Sequence, residues 1–432
     1  MKDVFWVYLV CGFLAIMVMA GGSSLPSHDL FVAQSWMSLA VLGFAIWRLR
    51  DNKLDGLAAS GLTILAVGFV TMLAQLIPLP QTIWSVLGGR AFVVTSFELV
   101  RQTGAWLSLS LSPNATRQDI LALLPAAAIF VSLFTIPREG RVVIALTICA
   151  LAMASLLLSL VQPGAATVSA QFINPNFFAA LLYMSIPFAI ALGSRSEKKS
   201  LWAVSAIVVL LCFVGIGQTS SRFGLLTAFG VSVASALSFQ KIGRTSALYG
   251  LPVITILIVM ALLFGGTGIE RFTGLQAAFA QRADIFSTSV TAFFSFLPAG
   301  SGFGSFVPIY QMYEASASIT PSYVNHAHND WLELLLEGGL LMAVLMVAYL
   351  RWFVLTLKAV WAHQFDFGKA ASISAIAVML HSLADYPLRS PALLVLFACC
   401  CGLMVRAAAP QNSKESLLSF DAAFTRAGAV TA

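Results

Sequence analysis

The sequence predicts an all-α polytopic membrane protein, a helix bundle of about 12 transmembrane helices with a large external loop that contains short amphipathic helices. Two observations lead to this fold class. Of the 432 residues, 59% are hydrophobic and only 10% are charged, whereas soluble domains carry about 25% charged residues. Apolar segments of about 20 residues, the length of a helix that crosses a bilayer, recur along the chain. This composition excludes a water-soluble enzyme, a nucleic-acid-binding protein and a disordered chain.

Twelve segments are apolar and long enough to be predicted as spans. The first begins Met1-Lys2-Asp3, which is poor in positive charge, and has no clear cleavage site, so we expect a retained anchor and not a cleaved signal peptide. We expect residues 1–406 to form one transmembrane domain and residues 407–432 a mobile cytoplasmic tail. The predicted spans are 4–22, 30–47, 57–78, 119–136, 142–161, 175–193, 200–217, 223–239, 247–266, 334–356, 369–385 and 390–406.

The basic residues predict the orientation of the bundle. With the N-terminus inside, 17 of the 24 Lys and Arg residues fall on the cytoplasmic side and 7 outside. Since cytoplasmic loops of membrane proteins are enriched in Lys and Arg, both termini are expected in the cytoplasm and loops 79–118 and 267–333 outside. All seven outside residues are arginines, the side chain that binds phosphate bidentately, although chance in so small a set is an alternative. They are Arg90, Arg101, Arg117, Arg222, Arg271, Arg282 and Arg389.

The densest polar cluster runs from Asn325 to Gly339, at the outer end of the tenth span. His326 and His328 lie in it, and a neutral imidazole near pH 7 can act as a general base. Asp330, Glu333 and Glu337 follow at helical spacing, so that at least one carboxylate could orient a histidine ring. Two alternatives stay open, which are metal binding by the two histidines and a helix cap formed by Asn329 or Asp330.

Two further sites suit a phosphate group. Arg222 opens an apolar run after Gln218-Thr219-Ser220-Ser221, where the helix N-terminus adds partial positive charge and free N–H groups. Arg282 lies on a predicted amphipathic helix at 274–297, and it or Arg271 could complete a diphosphate clamp. The alternatives are a snorkelling arginine at Arg222 and an ordinary surface arginine at Arg282.

Three other polar segments are weaker signals. Asn174-Pro175-Asn176 opens the sixth span and either supplies amide hydrogen bonds or only caps the helix. Asp385 and Arg389 end the eleventh span and could form an internal ion pair, because charges within membranes are paired or functional. Gly300-Ser301-Gly302-Phe303-Gly304 is faintly similar to a dinucleotide fingerprint, but without a βαβ context a tight turn is favoured. His28 and His363 stand alone and are interpreted as inert.

The six cysteines all lie within apolar runs. They form no Cys-x-x-Cys motif and no pair in an external loop, so the sequence supports neither a disulfide framework nor a thiolate zinc site.

Taken together, these segments resemble the O-antigen ligase and O-antigen polymerase family of bacterial inner-membrane glycosyltransferases. The resemblance covers most of the chain and is best between about 170 and 405. The motifs that carry it are Asn174-Pro175-Asn176, Ser221-Arg222 with Leu226 four residues later, Arg282 before Gly302-Phe303-Gly304, His328-Asn329 with Gly339 eleven positions after the histidine, Leu76-Ile77-Pro78-Leu79-Pro80 and Asp385-Tyr386-Pro387-Leu388-Arg389.

The resemblance implies a multi-pass enzyme of the inner membrane with a periplasmic active site. It implies transfer of a glycan from undecaprenyl diphosphate to a sugar hydroxyl of the lipid A core or of a growing polysaccharide, with inversion and without a metal or cofactor. By position, Arg222 and Arg282 would bind the diphosphate and His328 would be the catalytic base. The further substrate-binding residues would be Asn174, Asn176, His326, Asn329, Asp385 and Arg389.

Several alternatives stay open at this point. His326 could replace His328 as the base. The acceptor separates O-antigen ligation, polymerisation of O-antigen or exopolysaccharide, and protein glycosylation, and one sequence does not distinguish them. The main competing function is a secondary transporter or flippase-like protein, but we find no similarity between the two halves of the chain. A non-catalytic partner of a polysaccharide export complex is a third possibility.

Overall fold

The computed structural model describes residues 2–22, 28–50, 54–161, 169–195, 198–239, 268–316, 319, 323–362 and 366–408. Over these ranges the predicted all-α class is confirmed. The helices are α1 (Lys2–Ala20), α2 (His28–Leu49), α3 (Gly56–Ala74), α4 (Gln81–Trp84), α5 (Ala91–Leu99), α6 (Pro113–Leu133), α7 (Gly140–Leu160), α8 (Pro175–Ser194), α9 (Lys199–Gln218), α10 (Arg222–Ser238), α11 (Gly268–Ser295), α12 (Phe306–Tyr313), α13 (Asp330–Ala362), α14 (Asp366–His381) and α15 (Pro391–Ala408).

The predicted spans agree with these helices at eleven of twelve positions. The ninth, 247–266, and the tail from residue 409 onwards lie outside the described residues, as does His363. Eight of the described helices are long and apolar enough to cross a membrane. Helices α10, α14 and α15 are shorter, with 17, 16 and 18 residues. The chain is therefore a multi-pass membrane protein.

Helix α8 lies at the centre of the bundle. Pro175 begins it, and Asn174 caps it by accepting a hydrogen bond from the backbone N–H of Asn176 (2.8 Å). Of its 20 residues, 15 are buried inside the protein. Helices α7, α9, α10 and α14 pack around α8. The polar residues at its first turn are thereby fixed against the ends of its neighbours.

Many of the helix ends meet at one end of the bundle, which we call the loop-bearing end. There Gln75 Nε2 donates to the backbone carbonyl of Glu337 (2.9 Å), which joins the end of α3 to the first turns of α13. The backbone N–H of Asp330 donates to the carbonyl of Ser382 (2.9 Å), which joins the start of α13 to the end of α14. A two-residue antiparallel ribbon, β1 (Pro78–Leu79) with β2 (Leu107–Ser108), lies in the loop between α3 and α6.

Helix α11 confirms the helix predicted within 274–297. Its buried positions Ile285, Ser289 and Ala292 recur at helical spacing, and residues 280–284 are exposed. Ile285 and Ala292 pack into a small core with Phe296, Phe306 and Tyr310. This core fixes α11 and α12 beside α13 at the loop-bearing end.

The glycine-rich segment 300–304 is a tight turn, as the sequence favoured. Gly300, Gly302 and Gly304 all have positive φ angles of 78°, 106° and 74°, a region that residues with a Cβ rarely adopt. The backbone N–H of Gly302 donates to the carbonyl of Glu337 and that of Gly304 to Glu337 Oε1, both at 2.9 Å. The turn therefore docks on α13, where Gly339 (φ 61°) interrupts the helix.

Candidate functional site

The segment that carries both histidines is held rigidly at the start of α13. Asn329 caps this helix, because its Oδ1 accepts a hydrogen bond from the backbone N–H of Leu332 (3.0 Å) and its Nδ2 donates to the carbonyl of Leu383 (3.0 Å). The cap interpretation is thus confirmed for Asn329. His328 has a φ of 50°, and such strained conformations concentrate at functional sites.

His328 and Asp385 form a hydrogen-bonded pair. His328 Nδ1 lies 3.3 Å from Asp385 Oδ1. An ionised carboxylate only accepts hydrogen bonds, so the tautomer that pairs with Asp385 carries its proton on Nδ1 and leaves the Nε2 lone pair open. No described residue forms a hydrogen bond with Nε2, and the His328 side chain is 26% exposed. The ring is therefore oriented and able to accept a proton.

Asp385 is buried and almost fully satisfied by donors. Its Oδ2 accepts from Asn176 Nδ2 (2.7 Å), its Oδ1 accepts from the backbone N–H of Tyr386 (3.0 Å), and His381 Nε2 lies 3.8 Å from Oδ2. Burial raises the pKa of Asp385. The His328 hydrogen bond and the charges of His381, His328 and Arg282 outweigh burial, so the pKa falls to about 2. The carboxylate is ionised at neutral pH. Asn174 acts as the cap of α8, whereas Asn176 positions Asp385.

Arg222 is the first residue of α10. Ser221 caps α10, since its Oγ accepts from the backbone N–H of Gly224 (3.1 Å). The ring of Phe223 stacks on His381 with 4.6 Å between ring centroids, which places the first turn of α10 beside Asp385. Arg222 itself is exposed and forms no hydrogen bond or ion pair with another described residue. Its guanidinium is available to a ligand.

Arg282 approaches the same region from α11. It is exposed, and among the residues described no side chain or backbone group pairs with it. Its positive charge contributes to the lowered pKa of Asp385, which requires proximity. The site thus combines residues from α8, α10, α11, the 323–329 segment and the turn after α14. Arg271 lies on α11, but its side chain is outside the described residues.

His326 is bound to a different carboxylate. Its Nδ1 lies 2.8 Å from Glu333 Oε1, and Glu333 Oε2 accepts from the backbone N–H of Ala327 (2.8 Å). The prediction that an acidic residue of this helix orients a histidine is confirmed for Glu333. Tyr386 separates the two imidazoles, with its ring 4.3 Å from that of His326 and 5.0 Å from that of His328. Burial raises the pKa of Tyr386.

Metal binding by the two histidines receives no support from their surroundings. Within the described ranges, no group of three or more His, Cys, Asp or Glu side chains could hold a metal ion.

Arg389 lies at the centre of a closed ionic network, which we call the Arg389 cluster. The 3₁₀ turn Pro387–Arg389 directs the guanidinium towards α6 and α13. Four carboxylates compensate for burial and raise the pKa of Arg389 well above its usual value. They lie 2.8 to 3.9 Å from its nitrogens and belong to Asp119, Asp330, Glu333 and Glu337.

The expected Asp385–Arg389 ion pair does not form. The reason is that residues 382–386 form a turn and not a helix, so the two side chains point to different partners. Arg389 is only 15% exposed and each of its three guanidinium nitrogens faces a carboxylate. Its role in substrate binding stays a prediction.

Some residues of the site had no clear sequence signal. Asp119 was missed, although a carboxylate at the start of a predicted span is itself unusual. Phe223 is an ordinary apolar position in sequence, and only the packing of α10 against α14 gives it a role. His381 and Tyr386 belong to the polar end of the eleventh span, but the sequence assigned neither of them a role.

One family model matches part of the chain. Residues 207–347 match the family model for O-antigen ligase. The match includes Arg222, Arg282, His326, His328 and Asn329, and it ends before Asp385. A comparison with curated proteins gives no match.

Proposed function

From the match of residues 207–347 to the O-antigen ligase model, we propose that the chain is a glycosyltransferase of this family and that it transfers a glycan from undecaprenyl diphosphate to a sugar hydroxyl at the loop-bearing end. One observation carries the proposal. The Asp385–His328 pair leaves Nε2 open, the charge of Arg282 acts on Asp385, and Arg222 precedes Phe223, which stacks on His381 next to Asp385. This is the combination that deprotonating a hydroxyl and stabilising a diphosphate leaving group require.

The proton transfer is assigned to His328. Its Nε2 accepts the proton of the acceptor hydroxyl while the hydroxyl oxygen forms a bond to the anomeric carbon. The buried Asp385 carboxylate stabilises the imidazolium that results, as the orienting carboxylate does in a catalytic triad. A positioned general base contributes about 10²–10⁴-fold to the rate.

The departing group is assigned to the two arginines. The bond between the anomeric carbon and the diphosphate oxygen breaks as the hydroxyl attacks from the opposite face, so the configuration inverts and the electron pair leaves with the diphosphate. Arg222 and Arg282 neutralise the growing negative charge by bidentate hydrogen bonds. The N-terminus of α10 adds partial positive charge at the same place.

The orientation follows from the distribution of basic residues. We propose that the protein lies in the bacterial inner membrane with both termini in the cytoplasm and the loop-bearing end in the periplasm. The acceptor is the lipid A core or a growing polysaccharide. Both would reach the site from the periplasmic side.

The test is glycan transfer by purified protein in lipid vesicles that contain an undecaprenyl-diphosphate-linked oligosaccharide and an acceptor. We expect His328→Ala and Arg222→Ala each to lower the rate by about 10²-fold or more. Arg117→Ala is the matched control, because Arg117 is an exposed arginine that pairs with Asn114 in the first turns of α6, and we expect it to keep wild-type activity.

Near-normal transfer by folded His328→Ala or Arg222→Ala protein would contradict the assigned role. Uptake of a solute into the vesicles without any glycan transfer would indicate a transporter instead.

A further inference from the structure

A groove with a cavity volume of ≈ 390 Å³ opens between α3, α6, α13 and α15. It lies beside the Arg389 cluster, and neither His328 nor Arg222 lines it. Asp119, Asp330 and Arg389 are the charged residues of its lining, and they lie together at one end. The rest of the lining is almost entirely apolar, and includes Gly68, Phe130, Leu345, Trp352 and Leu394.

The dimensions of the groove suit a single hydrocarbon chain. Along α6 its lining runs from Asp119 to Phe130, which at the helical rise of 1.5 Å per residue corresponds to about 16 Å. This is about half of the hydrocarbon thickness of a bilayer, which is about 30 Å. The groove therefore runs from the loop-bearing side into the membrane interior.

One carboxylate oxygen at the charged end of the groove receives no hydrogen bond from a described residue. Asp330 is 2% exposed, and its Oδ1 is buried without a hydrogen-bond partner among the described residues. The nearest described cation is the Nε atom of Arg389, at 3.9 Å. A buried acceptor without a partner costs about 1–3 kcal/mol, so a donor from a bound molecule would stabilise this end.

The charge of this end selects the kind of donor. Arg389 is shared by four carboxylates, so it offers no free positive charge to a phosphate. A cationic donor complements carboxylates that outnumber the one guanidinium of the cluster.

We propose that the groove binds one acyl chain of an aminophospholipid, whose ammonium group donates to Asp330 Oδ1 and Asp119. The chain occupies the apolar length and the ammonium occupies the charged end. This lipid differs from the diphosphate carrier of the proposed transfer reaction, because the carrier's diphosphate has no ammonium group to donate to Asp330 Oδ1. The site therefore stands independently of that reaction.

Gly68 lines the groove and offers a position at which an added side chain can test lipid binding. A Cβ added to Gly68 meets no atom within 4 Å, so Gly68→Leu places its side chain in the groove without a clash. Gly43 on α2 is the matched control. It is exposed, its added Cβ also meets nothing within 4 Å, and it does not line the groove.

The experiment is native mass spectrometry of delipidated full-length protein titrated with dioleoyl-phosphatidylethanolamine or dioleoyl-phosphatidylglycerol. For wild-type and Gly43→Leu protein we expect one tightly bound phosphatidylethanolamine and at least about tenfold weaker phosphatidylglycerol, where tenfold corresponds to about 1.4 kcal/mol. Gly68→Leu should weaken phosphatidylethanolamine about tenfold or more, because its side chain occupies the chain's place.

A second variant tests the head group separately. Asp119→Asn removes one carboxylate at the charged end, where this side chain is 31% exposed, and we expect it to weaken phosphatidylethanolamine but not phosphatidylglycerol. Equal binding of phosphatidylethanolamine by the Gly68→Leu and Gly43→Leu variants would overturn the site. A preference for phosphatidylglycerol in wild-type protein would overturn the ammonium assignment. Glycan transfer is measured in none of these arms, so their outcome does not depend on the catalytic proposal.

Discussion

Two ionic regions lie on either side of the turn 382–389, and they differ in how they use their charges. In the Asp385–His328 pair, the buried carboxylate of Asp385 accepts a hydrogen bond from the His328 imidazole. This ring is 26% exposed, and its Nε2 atom is open. In the Arg389 cluster, four carboxylates surround one guanidinium that is only 15% exposed. The imidazole of the first region has an open ring nitrogen, whereas each guanidinium nitrogen of the second faces a carboxylate. Asp385 and Arg389, four positions apart in sequence, thus belong to two regions that differ in how far their charges are already paired.

The largest effect that separates the two regions is expected for Arg389→Gln. Removal of the guanidinium leaves the buried carboxylates of Asp330, Glu333 and Glu337 without this cation, and loss of one partner of a buried ion pair costs about 3–5 kcal/mol. Thermal unfolding in detergent should show a much lower midpoint than for wild type. Arg117→Gln removes an exposed arginine and should leave the midpoint unchanged. Equal midpoints for both variants would mean that the cluster does not stabilise the bundle.

The corresponding substitution in the Asp385–His328 pair is Asp385→Asn. An asparagine has no charge to stabilise the imidazolium and can favour the wrong tautomer, so kcat for transfer should fall by about 10²-fold or more with a smaller change in KM. Asp284→Asn, at an exposed carboxylate of α11, is the matched control in the same assay. If Asp385→Asn kept its kcat, the carboxylate would not act through His328.

The sequence located most of the residues in these two regions, but it did not predict which side chain pairs with which. Hydrophobic segment length located the helices, and the Asn-Asp pair before an apolar run indicated the start of α13 near residue 330. Glu333, seven residues after His326, was one of the three carboxylates expected to be able to orient a histidine ring, because a partner so near in sequence can be proposed from local spacing. The partner of His328 lies 57 residues away, and only the tertiary packing of the turn after α14 against α8 brings it there.

The same reason explains the wrong expectation for Asp385 and Arg389. Their spacing of four positions favours an ion pair only if the segment is helical. The helix ends at His381, and the residues that follow form a turn and then a 3₁₀ turn. The length of an apolar segment does not predict where a membrane helix stops within such a polar end. An ion pair between Asp385 and Arg389 was therefore expected in place of the separate partners that each side chain has.

A pH titration sharpens the comparison at Asp385. Its folded-state pKa is about 2, whereas an unfolded aspartate titrates near 3.9. Its ionisation therefore stabilises the fold above about pH 4, by about 2–3 kcal/mol, and this contribution disappears as the pH falls from about 4 to 2. The unfolding midpoint of wild type should exceed that of Asp385→Asn at pH 7, and the difference should shrink at pH 3. A difference that stays constant over this range would show that the charge of Asp385 has no part in it.

The smallest effect is expected for His326→Ala, which distinguishes the two imidazoles. The Nδ1 atom of His326 forms a hydrogen bond with Glu333, and Glu333 in turn lies 3.3 Å from Arg389. His326 is therefore linked to the Arg389 cluster. We expect kcat to fall by less than about tenfold, well short of the 10²–10⁴-fold contribution of a general base. The measurement is kcat and KM for transfer beside His328→Ala in one preparation. A loss in kcat for His326→Ala as large as that for His328→Ala would contradict the assignment of the proton transfer to His328 alone.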